Sequence, residues 1–277
     1  MKKGFALFLS CVMGASLIAG CGNGSGSSAS GESQADTEAV SDAGTVSDTE
    51  AVGDTAGEDG SGDASAAADG TVYTIGICQQ VEHDALDEAT RGFQEACTEL
   101  FGADHVIFET QNAQGEQANC ATIVNNFVAS DVDLILANGT TALQSAAAAT
   151  NTIPILGTSI TDFGAALDIT DWTGASGTNI SGTSDLAPIG EQEDMLLELV
   201  PEASKVGIVY CSAEANSAYQ AREFEKALEE DGIDYAEYTA ADSNEIQSVV
   251  TAAVSECDVL YIPTDNLLAS NMPTVSM

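Results

Sequence analysis

From Val72 onward the chain alternates short apolar, β-rich runs with segments whose apolar residues recur every three or four positions. That alternation restricts the fold more than any other feature. "VYTIGIC" at Val72 is a continuous apolar run of the kind found in a strand covered on both faces. Leu86, Ala89, Phe93, Ala96 and Leu100 then keep helical spacing, and Gly102 follows the last turn as a C-terminal cap would. Next come "VIF" at Val106, a helix over about 116–129, "VDLILA" at Val132, a helix over about 141–149, and "IPIL" at Ile153. The order is βαβαβαβ, which predicts right-handed crossovers and a parallel, doubly wound sheet.

The rhythm breaks over 158–188, a stretch rich in Gly, Thr, Ser and Asp that holds the lone Trp172, and then resumes. A helix over about 189–200 with Pro188 near its first turn leads to "KVGIVYC" at Lys205, a helix over 216–230 closed by Gly232, "YAEYTA" at Tyr235, a helix over about 244–255, and "DVLYIP" at Asp258. Two α/β units flanking one irregular connection predict two lobes, 71–184 and 185–277, with a cleft between them.

The preceding residues carry different signals. Lys2 and Lys3 precede an apolar run from Phe5 to Ala19, which is short for a bilayer span and fits the core of a secretory leader. It ends in "LIAGC", which resembles a bacterial lipobox: small Ala19 and Gly20 for the signal peptidase, then Cys21 as the diacylated first residue of the mature chain. The alternative is an ordinary leader that contains a cysteine. A lipoprotein leader over 1–20 and a lipid anchor at Cys21 put the folded part outside the cytoplasm, held at the membrane by buried methylenes worth about 0.8 kcal/mol each. Residues 22–70 are mostly Gly, Ser, Ala, Thr, Asp and Glu with no Lys, Arg or aromatic residue, too polar to offset their ordering entropy by burial. Residues 21–70 are therefore expected to be a self-repelling tether, spanning about 40 Å as a Gly-rich coil.

Charge excludes one class of partner. The 277-residue chain has only six Lys and Arg and a formal charge of −38, so clustered phosphate contacts are not available and nucleic acid is set aside. Of seven cysteines, Cys11 leaves with the leader and Cys21 takes lipid, leaving five: Cys78, Cys97, Cys120, Cys211 and Cys257. An odd number, no CxxC and apolar surroundings favour buried free thiols over disulfides or a metal site.

In open α/β sheets ligands bind beyond the C-terminal ends of the strands. There the first unit has Gln79, Gln80, Glu82 and His83, then Asn138, Gly139, Thr140 and Thr141, then Ser159, Thr161 and Asp162. The second has Ser212, Glu214, Asn216 and Ser217, then Thr264, Asp265 and Asn266. Any one of these corners is explained equally well as a helix N-cap, worth about 1 kcal/mol. Capping does not explain why "NGTT", "SITD", "EANS" and "PTDN" all offer more polar atoms than a cap uses. Helix N-termini and hydroxyls suit a carboxylate, while Asp162, Asp265, Glu82 or Glu214 suit an ammonium, so a zwitterion meets both demands. The corners lack basic residues, which disfavours phosphorylated ligands.

Enzyme signatures are missing: no GxSxG elbow, P-loop or dinucleotide fingerprint occurs. His83 and His105 have no metal-ligand spacing to any cysteine, and no cofactor is implied. His83 beside Glu82 is the one candidate general base, although a histidine at a helix start more often caps the helix or shapes a ligand site.

The blocks "GICQQVEHDALDEATRGFQEA", "NAQGEQANCATIVNNFVASDVDLILANGTTALQSA", "NISGTSDLAPIGEQ", "ELVPEASKVGIVYCSAEANS" and "YIPTDNLLAS" resemble the ABC-transporter substrate-binding lipoproteins of the tryptophan/tyrosine-uptake type. The resemblance implies an α/β, two-lobed type I periplasmic-binding-protein fold with parallel, doubly wound sheets. It implies a receptor that closes on an amino-acid-like solute, aromatic amino acids among the candidates, and delivers it to a membrane permease and its ATPase. Carried over by position, it adds Ser184 and Asp185 to the cleft and keeps Gln79, Glu82, His83, Thr140, Thr141, Thr161, Asp162, Glu214, Asn216, Ser217, Thr264, Asp265 and Asn266. Phe163 stands where the family often has Pro, and either stacks on an aromatic ligand or packs under its loop. The same resemblance implies three cleft crossings where this chain has one, hence a C-terminal truncation, an incomplete second lobe with an exposed sheet edge, and weak or no binding by this polypeptide alone. The alternatives are a sensory subunit of the same fold and an exported hydrolase using Glu82 and His83.

Overall fold

The computed structural model describes residues 8–10 and 70–277. The expectations for the leader, Cys21 and the tether lie outside them, save for Gly70 and the three residues of strand β1 (Phe8–Ser10).

The first sheet is built as the alternation predicts. Strand β2 (Tyr73–Gln79) is followed by α1 (Asp84–Phe101), β3 (Val106–Asn112), α2 (Gln117–Ala129), β4 (Leu134–Asn138), α3 (Thr140–Ala149) and β5 (Ile155–Ile160). The break after β5 holds a four-residue helix α4 (Phe163–Ala166) and a fifth strand, β6 (Ile180–Ser184). All five strands are parallel, in the order β3-β2-β4-β5-β6. Alternate side chains of β2 feed two apolar layers: Ile75 and Ile77 pack toward Phe93 and Phe101 of α1, and Cys78 packs with Phe127 of α2. Gly76 lets α2 lie directly on the sheet, since a Cβ there would stand 2.6 Å from the Phe127 ring.

The second sheet repeats the plan. After α5 (Ile189–Leu199) come β7 (Lys205–Cys211), α6 (Ala215–Asp231), β8 (Asp234–Ala240), α7 (Ile246–Glu256), β9 (Val259–Ile262) and two short helices, α8 (Asn266–Ser270) and α9 (Met272–Val275). The parallel order β1-β9-β7-β8 places β7 between β8 and β9, as β2 lies between β3 and β4. Val206, Ile208 and Tyr210 pack with Phe224 and Leu228 of α6, while Val209 joins Ile246 and Val250 of α7. Gly232 closes α6 in a left-handed conformation, φ 70° and ψ 29°, that suits glycine.

Two expectations are corrected, and the alternative left open for Phe163 is resolved. The stretch 158–188 is not wholly irregular, because β5 continues to Ile160 and β6 adds a strand whose polar "ISGTS" gives no apolar signal. The β9 edge, expected open, is paired in parallel by β1, with Phe8 opposite Leu260 and Ser10 opposite Ile262, a pairing that belongs to the unprocessed chain because β1 lies within the stretch read as a leader. Phe163 does not stand free for a ligand: it is buried, stacks on Trp172 with ring centroids 6.1 Å apart, and packs under its loop. Cys78, Cys97, Cys120, Cys211 and Cys257 are free thiols. Cys78, Cys120 and Cys211 are buried and the other two half-buried.

Candidate ligand-binding cleft

At the tips of the first sheet, part of the expected site holds the lobe together. Gln79 Nε2 donates to Val81 O (3.0 Å) and Asp87 Oδ1 (2.6 Å), and its Oε1 accepts from Thr90 Oγ1 (2.7 Å). Asn138 Nδ2 donates to Leu86 O (2.8 Å) and Thr90 Oγ1 (3.0 Å). These two residues thus brace β2 and β4 against the first turns of α1. Thr90 escapes a sequence reading because it sits one turn after Leu86 on the buried face of that helix, where its hydroxyl looks like a blemish. Gln80 Oε1 accepts from the Thr141 backbone N–H (2.9 Å), so Gln80 caps α3. Gly139, at φ 106°, leaves room for that side chain.

Thr140, Thr141 and Thr161 are buried at the tips, whereas Glu82 is exposed and His83 half-buried. Asp162 caps α4 by accepting from Ala165 N (2.7 Å). Beyond β6, Ser184 Oγ donates to Thr161 O (2.7 Å) and the Asp185 N–H donates to Ile160 O (3.0 Å), fixing the strand end beside β5. The Asp185 carboxyl receives the Thr161 hydroxyl, yet burial dominates and holds its pKa above the usual carboxylate range.

At the second sheet, Glu214 is saturated by its own lobe. It accepts from Asn266 N (3.1 Å) and Nδ2 (2.8 Å), Leu267 N (2.9 Å) and Asn216 Nδ2 (3.1 Å). Asp265 accepts from Cys211 N (2.6 Å) and Leu268 N (2.8 Å). Burial, then the neighbouring Glu214 charge, raise its pKa to about 7 against the pull of those N–H donors. Asn216 and Gln220 both donate to Thr264 O (3.0 and 3.2 Å), and Ser217 is fully buried below them. Gln220, one turn after Asn216, is a further residue that sequence reasoning missed.

The two sets of tips meet. His83 Nε2 lies 3.1 Å from Asn266 Oδ1, 183 positions away in the chain. Short helix α4 of the first unit packs against α6 of the second. Burial, then the Asp162 charge of the first lobe, raise the phenol pKa of Tyr219 on α6. Tyr219 had no motif to mark it; its one signal is an aromatic ring two residues after the Asn216–Ser217 corner. Two concavities, of about 310 Å³ beside Phe163 and Trp172 and about 450 Å³ between α2 and α3, lie off the tips.

Two parallel α/β layers whose strand tips meet through His83 and Asn266 match a solute receptor with the type I periplasmic-binding-protein fold. The chain belongs to the ABC transporter substrate binding protein family, whose profile matches residues 74–277. It is 31% identical over 277 residues to a tyrosine-binding protein of Clostridioides difficile, covering 99% of this chain and 71% of that one. The structure of an ABC domain from Streptococcus pneumoniae in complex with L-Trp superposes with a TM-score of 0.70 at 33% identity, covering 74% of this chain and 70% of that one. The ligand-free, open structure of a substrate-binding protein with adhesive properties from Clostridium difficile is 36% identical with the same coverage, yet its TM-score is 0.52.

Proposed function

We propose that this chain captures an amino-acid-like solute, an aromatic amino acid foremost, outside the cytoplasm and delivers it to an ABC permease and its ATPase. The supporting observation is the meeting of the tips through His83 and Asn266, in a lobe arrangement nearer that of the L-Trp complex than that of a more identical, ligand-free open relative. Lobe closure buries the guest and aims pre-placed dipoles at its charged ends. Thr140, Thr141, Thr161, Asp162 and Ser184 of lobe 71–184 form one wall together with Asp185, the next residue after β6, with His83 at its rim and Glu82 outside it. Asn216, Ser217, Thr264 and Asn266 of lobe 185–277 form the other, braced by Glu214 and Asp265. Gln79 and Asn138 stand behind the first wall. Catalysis is not part of this role, and the one candidate base, His83, is engaged by Asn266.

The same reading makes residues 1–20 a leader, Cys21 the acylated anchor and 21–70 the tether, so that the receptor stays beside its permease. No helix among the described residues is long and apolar enough to cross a membrane. Calorimetric titration of the chain against the twenty amino acids tests the binding role: saturable heat with the ligand recovered unchanged is expected, and turnover that disappears in His83→Ala contradicts it. Labelling with radioactive palmitate, lost in Cys21→Ala, tests the anchor.

A further inference from the structure

The acids at the strand tips are not equivalent, and their hydrogen bonds separate them. Glu214 accepts from four donors of its own lobe, and Asp265 from two backbone N–H groups. Asp162 spends an oxygen on the cap of α4, and Glu82 is exposed to water. Asp185 alone among them holds a carboxylate oxygen, Oδ1, that is sealed from solvent and has no hydrogen-bond partner. A buried, unpartnered carboxylate oxygen is unfavourable unless a cation or donor supplies what water no longer does.

The other orphaned atoms at the tips have the same polarity. Asn138 Oδ1 and Asn216 Oδ1 are likewise buried without partners, and both are acceptors. Among the described residues no buried side-chain donor at these corners is left without an acceptor. Buried acceptors left without a donor are the complement of a guest that brings donors, and Asp185 is the charged member of the set at the tips.

Resting on the receptor reading above, we infer that Asp185 is the anchor for a protonated primary amine of the ligand, in place of the acids Asp162, Asp265, Glu82 and Glu214 that the sequence offers for that role. The backbone bond from Asp185 N–H to Ile160 O pins the residue at the end of β6, and the Thr161 hydroxyl occupies the carboxyl from its own lobe, leaving Oδ1 for the guest. An ammonium placed there offsets the desolvation that raises the Asp185 pKa and restores the charged carboxylate. The substrate class follows: amino acids and amines, to the exclusion of neutral sugars and of carboxylic acids without an amine.

The test titrates the full chain with L-tryptophan and L-tyrosine, with their amine-free counterparts indole-3-propionate and 3-(4-hydroxyphenyl)propionate, and with glucose. The wild type is expected to bind an amino acid and to lose about 30-fold or more in affinity for its amine-free counterpart. Asp185→Asn is expected to lose a similar factor for the amino acid while leaving the counterpart's affinity unchanged, with Glu109→Gln, exposed on β3 and outside the cleft, retaining the amino-acid affinity. The wild-type comparison needs no variant, so it stands even if Asp185→Asn folds poorly. Equal affinity for amine and amine-free ligands, or preferential binding of glucose, overturns the inference and leaves a receptor of another specificity. No heat from any amino acid or amine overturns the amino-acid reading and this inference with it.

Discussion

The His83 ring and the Asn266 amide join across the cleft with Nε2 and Oδ1 3.1 Å apart, and their neighbours fix which atom donates. Asn266 Nδ2 is committed to Glu214 Oε2, so its carbonyl oxygen must be the group turned toward His83. The histidine therefore carries its proton on Nε2. This bond tethers the lobes rather than stabilising either one. His83→Ala is expected to raise the radius of gyration measured by small-angle scattering and to weaken ligand binding about fivefold, the equivalent of about 1 kcal/mol, with the melting temperature almost unchanged.

Gln79 and Asn138 should behave in the opposite way. Asn138→Ala strands the Leu86 carbonyl and the Thr90 hydroxyl, and Gln79→Ala strands Thr90 and releases Asp87. Each is expected to cost about 1–3 kcal/mol of stability in urea titrations, while the ligand affinity of the folded fraction changes much less than in Asp185→Asn.

The acid pair of the second lobe gives stability a pH slope of known sign. Asp265 titrates near 7 in the folded chain and near 4 when unfolded, so the folded state holds a proton that the unfolded state has released. Stability is then greatest near pH 4–5 and falls as pH rises toward 7. Below that window Asp258, whose pKa is lowered by the Ser204 hydroxyl and the Ser204 and Lys205 N–H groups, loses its contribution as it takes up a proton. Thermal unfolding monitored from pH 3 to 8 should show a maximum in acid. Asp265→Asn should flatten the fall between pH 4 and 7 and be less stable at pH 5, because an amide turns one N–H toward a backbone donor.

Gly182 should tolerate no side chain. It pairs with Gly157 between β5 and β6, its φ is 156°, and a Cβ there would fall on the Gly157 carbonyl oxygen. Gly182→Ala is expected to cost about 3 kcal/mol and to shift Ser184 and Asp185, so both melting temperature and ligand affinity should drop.

The alternating pattern made both sheets legible, and most predicted elements fall within one or two residues of their observed ends. Apolar strands buried on both faces and amphipathic helices announce themselves through burial, and that is what periodicity measures. Strand β6 did not, because an edge strand with exposed Ser, Gly and Thr carries no apolar pattern. The cleft was legible as a set of corners but not as a set of roles. Glu214, Asp162 and Asp185 look alike as letters; only the paths of neighbouring N–H groups show that Glu214 is spent inside its lobe and that an Asp185 oxygen is not. Thr90 and Tyr219 stayed hidden for the same reason, since their importance comes from what the fold brings opposite them.

The two lobes also share a fastening at the ends remote from the cleft. In the first, Asp133 Oδ2 accepts from Thr74 N (2.7 Å) while its own N–H donates to Thr74 O (2.8 Å); in the second, Asp258 Oδ2 accepts from Lys205 N (3.1 Å) while its N–H donates to Lys205 O (2.9 Å). Counting from these matched clasps, Gly76 and Gly207 fall at the same step of their strands, each beneath a side chain that a Cβ would strike. With each lobe fastened at its base, substitutions at the opposite rim leave the scaffold's anchoring bonds in place.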